Sequence, residues 1–101
     1  MGGGGAQPAG PSREEMLKAR EHVAKLRVRA ESVRNSLQGL RRSQQSQGLS
    51  LSAKFTGPEG LMTTYLRAAE DALNASDLPA FREYAEKAEH QIEILEKLLN
   101  L

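Results

Sequence analysis

From Met16 onward the apolar residues fall at alternating steps of three and four: Met16, Ala19, Val23, Leu26, Ala30, Val33, Leu37 and Leu40. That spacing is an a/d heptad, and on an α-helix it draws one narrow apolar seam. Ser12 and Glu15 stand ahead of it in the two positions of a capping box. The hydroxyl can accept from a free first-turn amide while the carboxylate reaches back to the cap. Past Leu40 the seam positions are Gln44 and Gln47, and Gly48 follows. The pattern predicts a first helix over about 13–45, with Gly48 ending whatever helix remains.

Ser43 to Phe55 is polar and patternless, with Leu49, Leu51 and Phe55 as its apolar anchors. It is expected to be a structured connection folding back over the bundle end. Thr56 and Glu59 form a second capping box, with Pro58 in the first turn, where a missing N–H is tolerated. Met62, Leu66, Ala69 and Leu73 then repeat at helical spacing, with Tyr65 and Ala72 alongside. Asn74–Asp77 breaks this second helix, and Asp77 is placed to cap a third. The third seam is Leu78, Phe81, Ala85, Ala88, Ile92, Leu95 and Leu99. A turn this short makes the second and third helices antiparallel neighbours. The reading is an all-α, three-helix antiparallel bundle over 12–101, with helices at about 13–45, 57–74 and 78–99.

Residues 1–11 read MGGGGAQPAGP. Glycine and proline in that density cannot bury apolar surface or hold a helix, so a disordered tail is expected there. With only four aromatic side chains in the sequence (two Tyr, two Phe), core volume has to come from aliphatic residues and alanine, which suits close helix packing. The sequence has no cysteine, which excludes disulfide and thiol chemistry. No apolar run approaches the ~20 residues of a membrane span, so no membrane insertion is expected. No apolar signal segment follows Met1. The default expectation is therefore cytoplasmic, or periplasmic if the chain belongs to a longer secreted protein. Ala6 stands where a myristoylation motif needs Ser or Thr.

The net charge is only +1, yet it is unevenly spread. Residues 12–42 carry nine basic against four acidic side chains, and residues 61–101 carry four against eight. Arg13, Arg20, Arg27, Arg34 and Arg41 are seven residues apart, on one line beside the seam. They are the candidate partner-binding residues, and three readings compete. The preferred one turns the line onto the acidic later helices, with the arginine stems covering the core edge. The second faces it toward an acidic flank of a partner chain. The third faces it toward a nucleic-acid backbone. Nucleic acid is disfavoured by the near-neutral total and by the lack of a stacking aromatic in the first helix.

No constellation of catalytic chemistry is present, and no enzyme, cofactor or metal site is expected. His22 and His90 lie apart and read as surface histidines. Glu83, Glu86, Glu89, Glu93 and Glu96 read as a solvated face, because a catalytic acid needs burial to raise its pKa. Asn74-Ala75-Ser76 matches a glycosylation sequon but reads more simply as a helix-ending turn.

Residues 63–92, TYLRAAEDALNASDLPAFREYAEKAEHQI with its leading Thr63, resemble one helix-turn-helix unit of the tetratricopeptide family. Alanines at the helix contact alternate with larger residues, and a short Asp-containing turn joins the helices. The resemblance implies the hairpin geometry and no peptide-binding residues, since one repeat forms no solenoid. The whole chain is also similar to helical C-terminal portions of uncharacterised bacterial proteins that follow a Pro/Ala-rich tether, which implies a helical module and no activity. The functional expectation is a non-catalytic protein–protein interaction or assembly module; the alternative is a weak nucleic-acid-binding domain using the arginine line. A protein partner is expected, and a monomer is favoured over a homodimer paired through the first-helix seam.

Overall fold

A computed structural model describes residues 10–101. The expected disorder of the tail concerns mainly residues 1–9, which lie outside the described residues. Gly10 and Pro11 precede the first helix without regular structure.

The architecture is the expected all-α bundle, in up-down-up order: α1 Arg13–Gln45, α2 Ala53–Asn74 and α3 Leu78–Leu99. The helix α1 starts on the capping box read from the sequence. The Glu15 amide donates to Ser12 Oγ at 3.1 Å and the Ser12 amide donates to Glu15 Oε1 at 2.9 Å. The Ser12 backbone bond, followed by its hydroxyl, holds the Glu15 carboxyl below the usual glutamate range. At its other end the Leu49 amide reaches Gln44 O at 2.8 Å and the Gly48 amide reaches Gln45 O at 3.0 Å. This paired closure requires a left-handed residue at its turning point, and Gly48 supplies it with φ +74°. Ser76 and Asn100 play the same part after α2 and α3, each with φ +58°. The sequon at Asn74–Ser76 is thus folded into the turn between α2 and α3, where the Asp77 amide closes on Ala72 O at 2.8 Å.

The start of α2 departs from the sequence reading. A helix opening at 57 behind the Thr56–Glu59 box, after a connection from 43 to 55, is replaced by one opening at Ala53. Its N-cap is Ser52, whose hydroxyl accepts from the Lys54 amide at 3.3 Å. The connection shrinks to residues 46–52, and Pro58 lies inside the helix. Burial of Phe55, only 8% exposed, is the physical reason: the earlier start swings its ring into the core. Leu51 also packs against the core, while Leu49 stays 55% exposed, so only part of the connection folds over the bundle end.

All three seams converge on one core. Leu26, Val33, Leu37, Met62, Ile92 and Leu95 are its most enclosed large side chains. Ala30, Ala69, Ala85 and Ala88 are fully buried between them, so the backbones approach closely. Val23 and Leu26, at 3% and 1% exposure, are enclosed within the chain, while Met16 and Leu40 at the two ends of the first-helix seam are half-buried. No polar side chain is buried among the described residues.

Candidate functional site

The arginine line divides into two parts. Arg27 pairs with Glu70, Arg34 donates to Thr63 Oγ1 at 3.2 Å, and Arg41 meets Glu59 at 2.7 Å. These three stitch α1 to α2 and follow the preferred reading of the sequence. Arg20 and Arg13 have no ion pair or hydrogen bond from their side chains to another described residue. The cause is topological. Partners step along α2 from Glu59 through Thr63 to Glu70, and the next step falls beyond Asn74, where the chain has already turned into α3.

Sequence reasoning missed the most extensively bonded cation, Arg29. It lies on the other flank of the α1 seam and bridges two carboxylates of α3. Its Nη1 donates to Glu89 at 2.8 Å, and its Nη2 and Nε donate to Glu96 at 2.8 and 3.1 Å. The Glu96 bond, aided by Glu89, raises the Arg29 guanidinium above its ordinary value, and the same bond holds the Glu96 carboxyl below the usual range. The signal was in the heptads. Glu89 and Glu96 are seven apart beside the α3 seam, and α1 and α3 run parallel, so a flanking arginine on one helix meets flanking carboxylates on the other.

Of the remaining acidic side chains on α3, Glu83 takes Lys87 at 3.2 Å, which raises the Lys87 amine, and Glu86 and Glu93 are exposed. The His22 ring packs edge-on against Phe81 at 5.9 Å with Nε2 4.0 Å from Glu89; His90 is exposed. Among the described residues no cluster of His, Asp or Glu could hold a metal ion, and no helix is long and apolar enough to cross a membrane.

The surface of the α2–α3 hairpin that faces away from α1 carries a different chemistry. Tyr65 and Tyr84 stack across the crevice with centroids 6.5 Å apart, and the Lys87 amine lies 5.8 Å from both rings. Leu61 stands one turn back along α2 from Tyr65, while Ile94 and Leu98 continue the α3 line beyond Lys87. Leu61 is 44% and Leu98 39% exposed, and Ile94 is half-buried. The recess beside Tyr65 and Lys87 is lined by Gln91, His90 and Glu93, and the aliphatic side chains Leu61, Ile94 and Leu98 lie further along the same two helices.

Fold and surface together define a helical-bundle domain with ion-paired flanks and exposed leucines on the outer side of α2 and α3. No protein-family model matches the chain, and neither does any curated protein or solved structure.

Proposed function

We propose that this domain is a non-catalytic interaction or assembly module that receives a partner protein along the outer α2–α3 crevice. The supporting observation is the pair Leu61 and Leu98, which the chain leaves exposed beside the half-buried Ile94 while it buries the middle of every heptad seam. A helix or extended segment with aliphatic anchors fits these side chains, because covering an exposed leucine contributes on the order of 1–2 kcal/mol. The alternative, nucleic-acid binding on the arginine line, is supported only by Arg13 and Arg20, since Arg27, Arg34 and Arg41 are engaged by α2.

A displayed library of amphipathic peptides, panned against the full chain and counter-screened on Leu61→Asp and Leu98→Asp, tests the proposal. Enriched peptides should lose binding to both variants, and a library that yields none with that dependence refutes the crevice. Titration with random duplex and single-stranded DNA across a salt series tests the alternative. Affinity that falls steeply with salt and depends on Arg13 and Arg20 would replace the first reading.

A further inference from the structure

We infer that the first turn of α2, residues 53–56, is a lid that opens as a unit while the rest of the bundle stays folded. Two caps compete for the start of the helix: Ser52 in the closed form, and the Thr56–Glu59 box in the open form. This device stands independently of the partner surface on α2 and α3.

The closed turn is held by few contacts. Ser52 Oγ accepts from the Lys54 amide at 3.3 Å, and the Phe55 amide donates to Ser52 O at 3.0 Å. Ala53, Lys54 and Thr56 are exposed, so Phe55 alone carries the turn into the core. The Lys54 amine lies 5.3 Å from the centre of that ring. Residues that oppose a helix follow at once. Pro58 leaves the Lys54 carbonyl without its intrahelical donor, and its ring crowds that carbonyl. Gly57 and Gly60 are poor helix formers on either side of it.

A helix that restarts behind Thr56 escapes these costs. Pro58 then falls in the first turn, where an N–H has no intrahelical partner in any case. The Thr56 hydroxyl is exposed and has no hydrogen bond to another described residue in the closed form. In the open form it accepts from the Glu59 amide, and the Glu59 carboxylate reaches back to the Thr56 amide. Arg41 holds Glu59 through Oε1 at 2.7 Å, which leaves Oε2 for that bond. The same ion pair ties α2 to α1 from Glu59 onward, so the opening stops there. Opening withdraws Phe55 from the core and lengthens the link between α1 and α2 from residues 46–52 to residues 46–55. The open form is a minor state, on the order of 1% of the population.

Native-state amide hydrogen exchange of the full chain, read by NMR, tests the inference. The Phe55 amide should be slowed on the order of 100-fold, far less than the amides of Leu66–Leu73. Two cap substitutions should then move it in opposite directions. Ser52→Ala removes the closed-form cap and should lower Phe55 protection about fivefold. Thr56→Val keeps the shape and helix propensity but removes the hydroxyl that acts only in the open form, and should raise protection about fivefold. Pro58→Ala should raise it to the level of Leu66–Leu73. A helix end that merely frays responds to Ser52→Ala but not to Thr56→Val, and that result overturns the inference. So does Thr56→Val lowering the protection, or a Phe55 amide as protected as Leu66–Leu73 in the parent chain.

Discussion

Replacing Phe55 by alanine should move the start of α2. The helix opens four residues before the Thr56–Glu59 box, and its first turn is held by two features. Burial of the Phe55 ring contributes about 1.5–3 kcal/mol, and the Ser52 cap about 1 kcal/mol. Against them stands Pro58, which lies in the helix interior and has no N–H for the Lys54 carbonyl, at a cost of about 3 kcal/mol. Gly57 adds roughly 1 kcal/mol relative to alanine. The glycine is suited to its place, because a Cβ on the residue before a proline is disfavoured in the helical region. The opposing totals lie within a couple of kcal/mol of each other, and Phe55 is the largest favourable contribution. Without it the first turn should release and α2 should restart behind Thr56. The loss of global stability should then stay near the transfer value of the ring, about 2–3 kcal/mol, below the usual range for a phenylalanine truncated in a rigid core. Amide hydrogen exchange read by NMR reports this directly. In the parent chain the Thr56 amide, bonded to Ser52 O at 3.2 Å, should be protected. In Phe55→Ala it should exchange freely, while Leu66–Leu73 lose only the global difference. Pro58→Ala in the same background should bring protection back. A uniform loss across α2, or a Thr56 amide that stays protected, would refute this reasoning.

Two further outcomes follow from the same structure. The Glu96 carboxyl is held below its ordinary value by Arg29, so its contribution is complete above the unfolded-state value and is lost as pH falls through the lowered folded-state value. Urea midpoints measured downward from about pH 5 should fall more steeply in the parent chain than in Glu96→Gln, and equal slopes would remove Glu96 from the linkage. Gly60 lies on the outer side of α2, and a Cβ there meets nothing within 4 Å. Gly60→Ala should therefore raise stability by roughly 1 kcal/mol, and a lowered melting temperature would show that this turn is not regular helix.

Most of the fold was legible because each helix carries its own periodicity and its own stop. Residues 13–45 and 78–99 coincide with α1 and α3: Ser12 and Asp77 are strong caps, while Gly48 and the 74–77 turn are local signals. Every heptad position named from Ala19 to Leu37 is buried.

What the chain determined by itself is whatever depends on neighbours within a turn or two: helix existence, caps, the left-handed stop at Gly48, and which face of each helix is apolar. The start of α2 was decided elsewhere. Two capping sites compete within a few residues of each other, and locally the proline favours the later one. The core reverses that choice by accepting Phe55, a contribution that exists only once α1 and α3 are in place. The division of the arginines has the same origin. A seven-residue spacing puts Arg13 to Arg41 on one line, but where α2 ends determines which of them meet partners, and the parallel packing of α1 on α3 gives Arg29 its two carboxylates. Helical periodicity specifies a direction around one axis; how far a second helix extends beside it is a property of the packed bundle.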